Sequence, residues 1–440
     1  MRLAILGLLL ACGIAGAQNE SRFRAEFRRE GERLKERCVD KKSLIGCGQV
    51  LFADHPLHIA VGSIAPQNGF GLGPAFLYST FPSAWRLNWN ADAVVSTNGS
   101  SRAGVYLKAF PIPTTATTRA QPVISAYAQT ISLNKLGFFG LGNSALEEDR
   151  SFFGMRQTIT GLNAVAPLSE RTRLGLYGEF NGRFVDIRSR QGEPSPSIED
   201  LYSEAAAPGL DQQPAFVQFG GGARMSPTLL DNYVRLNYDV LLQQFSAPGD
   251  SRFSFRRLKI DLSHEFAIYR TTRSSAPRNS VGPDGDPTAN VPISISRNQE
   301  GAFGFRVLLW QSFTPEGHEV PFYFQPTLGG SDVNGDQILA SFQDYRFRAP
   351  NLLSFRGSFE HSLWGPLGFM AMTEVGKVAM TRGELNKGKF RRTFAAGITL
   401  RAGNFPQVAL LLAWGSGEGT HTIAHMNTTL LGASSRPSLH

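Results

Sequence analysis

From Arg173 to Val185 the chain alternates with a period of two: Leu174, Leu176, Gly178, Phe180, Gly182 and Phe184 share one face, and Arg173, Tyr177, Glu179, Asn181 and Arg183 share the other. A β-strand sends successive side chains to opposite faces, so such a run predicts a strand with one oily and one wet side. The same split places Val234, Leu236, Val240 and Leu242 against Arg235, Asn237, Asp239 and Gln243, and Leu258, Ile260, Leu262 and Phe266 against Arg257, Lys259, Asp261 and Glu265. It recurs early, with Trp85, Leu87 and Trp89 opposing Arg86, Asn88, Asn90 and Asp92. Strands in soluble sandwiches average about five or six residues. Several runs here are longer, nearer the roughly ten tilted residues that cross a bilayer core. Backbone groups in lipid must all be paired, so a sheet crossing it has to close. The alternation then has a sense, apolar outward to lipid and polar inward to a lumen.

Connections alternate between short and long, as in bacterial barrels. Phe81-Pro82-Ser83, Leu168-Ser169-Glu170 and Gly365-Pro366 read as tight periplasmic turns. The stretches from Ser189 to Gln213 and from Glu316 to Pro350, rich in Gly, Pro and Asp, read as long loops on the outside or folded into the lumen. Thr272 to Ile293 also reads as a long loop, yet the strand count puts it on the periplasmic side. Counting from a weak first strand at Leu57 to Ile64 through a last one at Thr420 to Leu431 gives about sixteen strands, within the even-numbered range of these folds. The fold class is thus all-β, a transmembrane antiparallel β-barrel preceded by a short N-terminal helix.

That helix is expected between Asn19 and Arg37, dense in Arg and Glu with Phe23, Phe27 and Leu34 on one stripe. It reads as a solvated periplasmic helix; a plug, lid or docking arm is the sharper reading. Before it, Arg2, the apolar run Leu3 to Leu10 and the triplet Ala15-Gly16-Ala17 read as a secretory signal covering 1–17. Cleavage before a lipidated Cys12 is the rival reading. Cys38 and Cys47 then form an even pair in an exported chain, which favours a local disulfide. The expected organisation is a signal at 1–17, helix and disulfide loop at 18–55, barrel at 56–433 and tail at 434–440.

Composition is neutral on this point, with 42% hydrophobic and 18% charged residues, because lipid-facing and lumen-facing positions cancel. No later stretch approaches the roughly 18 apolar residues of a membrane-crossing helix. The net charge of +8 could suit nucleic acid, but export and the scatter of Arg and Lys through strands assign those cations to lipid headgroups and lumen carboxylates.

One constellation is more specific. It runs from Pro326-Thr327-Leu328-Gly329-Gly330-Ser331-Asp332 through Phe342, Tyr345-Arg346-Phe347-Arg348, Asn351-Leu352-Leu353 and Phe359-Glu360. Glu374-Val375-Gly376-Lys377-Val378, Gly397-Ile398-Thr399-Leu400-Arg401 and Val408 to Trp414 follow, and Phe138-Phe139-Gly140-Leu141-Gly142-Asn143 precedes it. In order and spacing this resembles the BamA/TamA superfamily, the bacterial surface antigen family, most closely over the last third. The resemblance implies a loop folded into the lumen whose tip sets an Arg against wall carboxylates. Glu360 and Glu374 have the lumen-facing parity for that role. The tip departs: Leu339-Ala340-Ser341-Phe342 has Ala340 where the family has Arg. Arg346 or Arg348 is expected to take over the pairing, since a desolvated carboxylate needs a cation; the alternative is that both merely line a hydrated lumen. The family's POTRA modules have no counterpart here, so the resemblance implies the barrel more firmly than the activity.

A search for a nucleophile with its base finds none to nominate. His361 and Ser362 have opposite parity, His264 and His425 stand alone in strand contexts, and Gly220-Gly221-Gly222 lacks the residues of a phosphate loop and reads as strand packing. The resemblance implies a non-enzymatic, cofactor-free, monomeric barrel of the bacterial outer membrane that helps proteins or lipids enter or cross it. Its partners would be outer-membrane lipids, client outer-membrane proteins or periplasmic factors, and no nucleic acid. A passive pore or structural barrel is the alternative, and a barrel enzyme a third.

Overall fold

A computed structural model describes residues 32, 56–112, 121–190, 195–275, 293–402, 405–415, 418–426 and 436–440. Glu32 is helical. The signal, Cys12, the remainder of the expected helix and the Cys38/Cys47 loop lie outside the described residues.

The wall begins with β1 (Leu57–Ser63), β2 (Phe70–Thr80), β3 (Trp85–Ser96), β4 (Ser101–Pro111), β5 (Val123–Phe138) and β6 (Ser151–Ser169). It continues with β7 (Leu174–Ser189), β8 (Phe216–Met225), the two-residue β9 (Thr228–Leu229), β10 (Val234–Ser246), β11 (Phe255–Ser275) and β12 (Ile293–Phe313). Two short strands, β13 (Thr327–Leu328) and β14 (Phe347–Arg348), pair only with each other inside the long connection that follows β12. The wall resumes with β15 (Asn351–Trp364), β16 (Leu367–Ala379), β17 (Arg391–Ala402), β18 (Phe405–Gly415) and β19 (Thr420–Met426). Without β9, sixteen strands form the wall, each antiparallel to its predecessor, and β12 pairs directly with β15. The expected barrel of about sixteen strands is the observed one.

The two-residue rhythm has the expected sense. Leu176, Phe180 and Phe184 of β7, Val240 and Leu242 of β10, Phe303 and Phe305 of β12, and Ile398 and Leu400 of β17 are exposed on the outer surface. Their inward neighbours Asn181, Arg183, Gln243 and Arg257 are buried. An outer face this apolar is stable against acyl chains, where each exposed Å² of hydrocarbon avoids a cost of about 25 cal/mol in water. Phe81, Trp85 and Trp364 lie at one rim and Phe70 and Trp414 toward the other, the positions of interfacial aromatic belts. The glycine run of β8 serves close packing: a Cβ on Gly222 would meet the Val240 carbonyl at 2.3 Å and the Tyr177 ring at 2.7 Å.

All three expected tight turns fall at one end of the barrel. Ser83 and Gly365 take positive φ there, 50° and 54°, as the reversals require. The long connections 139–150, 190–215, 314–350 and 380–390 are all at the other end. The stretch 272–293 does fall on the short-turn side, but its ends are strand rather than loop, because Thr272 to Ser275 pair with Ser296 to Ile293. Residues 276–292 lie outside the described residues. β11 and β12, at 21 residues each, outrun their neighbours there and project as a two-stranded ribbon. Opposite them, β1 is seven residues long and Gly62 within it has φ +147°. β1 pairs with β2 and β19 with β18; among the described residues no ladder joins β1 to β19.

Candidate functional site

The connection 314–350 enters the lumen. Its single-turn helix Phe322–Phe324 is fully buried and packs on inward aromatics of the wall: Phe138 and Phe153 against Phe322, Phe216 and Phe245 against Phe324, with ring centroids 5.0–5.3 Å apart. Burying this turn would strand its carbonyls. Two buried guanidiniums prevent that, Arg257 of β11 donating to the Phe324 carbonyl and Arg348 to the Phe322 carbonyl at 2.7 Å.

Beyond the turn the loop doubles back on itself through β13 and β14. Gly329 and Gly330 have φ +104° and +58°, and a Cβ on Gly330 would lie 2.6 Å from Asp344, so the family-like Gly-Gly pair is needed by the fold of the loop. The Asp344 carboxylate accepts the Ser331 amide at 2.8 Å. The segments 138–143 and 345–348, distant in sequence, meet through the Gly142 amide and the Arg348 carbonyl at 2.7 Å.

The tip rests on the wall. The Ala340 amide donates to Glu374 at 2.9 Å, Ser341 and Thr393 share a hydroxyl contact of 2.7 Å, and Phe342 packs edge-on to Phe347. Where the family is expected to use an Arg side chain, this chain presents a backbone N–H to a fully buried carboxylate. One amide cannot neutralise that charge. The neutralising cation comes from the wall: Arg356 of β15 donates to Glu374 of β16 at 2.7 Å and also to the Gln337 carbonyl of the loop. Glu360 is likewise met by a wall residue, Arg401 of β17, and by the Thr399 hydroxyl at 3.4 Å.

Arg346 and Arg348 therefore do not pair with Glu360 or Glu374. Arg346 meets Glu418 and lies over the Phe139 and Phe347 rings, and Arg348 binds the Phe322 carbonyl. Both are buried in the loop assembly, which also sets aside the reading that they simply line water. The five residues expected to form one network do not: Glu374 takes the Ala340 amide, Phe342 packs on Phe347, and Arg346, Arg348 and Glu360 each belong to a separate contact.

A second anchor was not foreseen. Arg306 of β12 holds Asp261 of β11 at 2.9 and 2.7 Å with one set of donors and Asp336 of the loop at 3.0 and 2.8 Å with another, clamping loop to wall. Burial raises the Asp336 carboxyl, but the Arg306 hydrogen bonds outweigh it and hold the group below the usual carboxylate range. Toward the short turns the lumen opens into a cavity of about 410 Å³ whose lining includes Arg235, Glu265, Gln299, Arg306, Arg356 and Glu360. No cluster of three or more His, Cys, Asp or Glu suited to a metal occurs among the described residues.

The wall cations Arg356 and Arg401 and the clamp of Arg306 with Asp336 were missed. No simple count reaches the first: counting outward from Trp364 and Leu367 sets Arg356 opposite Val375, and an irregularity between Ser362 and Trp364 shifts the observed register by one, to Glu374. Arg401 lies two strands from Glu360 and Asp336 lies in a loop, so no local count reaches either.

No protein-family model matches the chain, and no curated protein sequence does. Among solved structures it is similar to CdiB from Escherichia coli, at TM-score 0.50 and 11% identity over 84% of this chain and 62% of that one. BamA from Haemophilus ducreyi lacking POTRA domains 1–3 aligns over 84% of this chain and 69% of its own at 8% identity and TM-score 0.49. The chain thus spans about two thirds of the structures it matches, and what they share at such identity is architecture. In fold, this chain is an antiparallel β-barrel of sixteen wall strands, similar in architecture to CdiB.

Proposed function

We propose that the chain resides in the bacterial outer membrane and helps proteins or lipids insert into or cross it, working through the boundary between β1 and β19. The observation that carries this reading is the first wall strand: β1 is only seven residues long and bends at Gly62 (φ +147°), against wall strands of up to 21 residues. A strand this short can make few cross-strand hydrogen bonds, so parting it costs less than opening a longer strand pair, and local opening is drawn to that boundary. The filled lumen supports the same reading over a passive pore, because a path through the centre would first have to displace the buried turn Phe322–Phe324. Outer-membrane lipids and client outer-membrane proteins or periplasmic factors are the partners this implies, for a barrel acting as a monomer without a cofactor or catalytic group.

The test is an engineered disulfide between a cysteine placed in Leu57–Ser63 and one in Thr420–Met426. Oxidised protein in lipid vesicles should lose the ability to insert a test barrel and regain it on reduction. Full activity while crosslinked removes lateral opening from consideration. A steady open pore in planar bilayers favours the passive barrel.

A further inference from the structure

Past β19, Arg436–His440 lies inside the barrel. Leu439 and His440 are 5% and 3% exposed, and Leu439 joins the apolar cluster that holds Phe322, Tyr323 and Phe324. The segment touches two separate parts of the lumen. Arg436 reaches Asp92 of β3 at 2.8 Å. At the other end the Leu439 amide donates to Asn334 at 2.8 Å, His440 meets Asp332 at 3.1 Å, and the imidazole packs edge-on to Trp310 of β12 at 5.4 Å.

These contacts are more than charge balance requires. Asp92 is already paired with Arg102 of β4 at 3.1 Å, and both are buried. A carboxylate that already has its cation accepts a second one from the segment. Asp332 and Asn334 lie on the lumen loop, so the segment ties that loop to β3. Beside it a cavity of about 580 Å³ remains, lined by Lys259, Trp310, Asp332, Asn334 and Asp336 together with Arg436 to Ser438, so the segment lies along one side of a larger recess.

We propose that the lumen contains a binding site for a short peptide, occupied in this chain by its own Arg436–His440. The ligand class follows from the contacts: a cation at the first position for Asp92, a bulky apolar side chain at the fourth for the aromatic cluster, and a hydrogen-bonding ring at the fifth for Asp332 and Trp310. The segment spans the lumen from β3 to β12 and its Leu439 packs in the cluster that seats the Phe322–Phe324 turn, so while bound it helps hold that turn across the lumen. A tethered segment acts at an effective concentration of order millimolar, so contacts too weak to hold a free peptide at micromolar levels suffice in cis.

The test compares the full chain with a variant lacking 436–440 in planar bilayers, with heat-shifted gel mobility establishing that each is folded. The shortened barrel should pass a steady current several-fold above the full chain. A synthetic Arg-Pro-Ser-Leu-His peptide at millimolar concentration should bring it back down, and the same peptide with Leu439→Asp should not. Equal currents from the two chains, or a raised current indifferent to the peptide, overturn the proposal. Should the shortened chain not fold, the full-length double variant Asp332→Asn, Asn334→Ala decides: a raised current sustains the site and an unchanged one removes it. The readout is ion flow through the centre, so this result stands apart from whether the wall opens sideways.

Discussion

The β11–β12 pair and the β1–β19 boundary stand in the same wall and differ in almost every respect. β11 and β12 are 21 residues long and stay in register from Arg256 and Phe313 to Ser275 and Ile293, with one irregularity at Ile268/Tyr269. Arg306 of β12 bonds across to Asp261 of β11 and onward to the lumen loop. β1 has seven residues, bent at Gly62, and β19 has seven among those described. A barrel wall is thus no uniform hoop: its cohesion is concentrated where long strands are clamped to the loop, and the short β1 contributes far less.

The sharpest way to break this comparison is to crosslink both places. A disulfide across β1 and β19 should abolish activity, whereas one joining Ile260→Cys and Leu309→Cys, register partners in β11 and β12, should leave it intact. Equal effects would mean that the difference in pairing has no functional meaning. Next in size is Arg356→Ala, which leaves Glu374 fully buried beside a single amide; stranding such a charge costs roughly 3–5 kcal/mol. The temperature at which the folded band disappears on a semi-native gel should fall clearly, and the pair Arg356→Met, Glu374→Leu should recover most of the loss.

A smaller effect should follow from pH. Asp336 is held below its unfolded value near 4, so its contribution is fully present above that value and lost as pH falls through the folded one. Between pH 6 and pH 3 the full chain should lose more gel stability than Asp336→Asn, which lacks the contribution throughout; parallel curves would show the clamp to be idle. Smallest is Arg224→Ala. Its 2.6 Å ion pair with Asp239 is at the water-facing end of the scale, with the Arg side chain 63% exposed, and should be worth less than about 1 kcal/mol in the same assay.

The wall was legible because lipid outside and a polar interior impose opposite demands on alternate residues, and β3, β7, β10 and β11 wear that demand openly. The tight turns were legible from Pro and Gly, and the lumen loop from its Gly-Gly pair and from a family resemblance. Pairing within the lumen was not. Which guanidinium meets which carboxylate depends on strand register and on how a long loop settles, and both are set by contacts between residues far apart in sequence. Arg356 and Glu374 are the instructive case, because an irregularity between Ser362 and Trp364 moves their strands one residue from the register that the turn at Gly365 would set. Arg346 and Arg348 misled because their charge suggested carboxylate partners for both, while Arg348 instead caps a buried carbonyl among aromatic rings.

The ribbon that β11 and β12 extend past the short turns carries its own consequence. β10 stops pairing at Phe266 and β15 at Gly301, so farther out the described ribbon has backbone donors and acceptors on both flanks without a neighbouring ladder. Bare flanks invite a second copy to add on and build a chain of barrels. Arg270 and Arg297 stand on that stretch, the first 72% exposed and the second sandwiched on Tyr233 and Tyr269. Arg270 is paired with Glu300 at 3.3 Å, so charged and stacked side chains line the described ribbon and stand in the way of such addition.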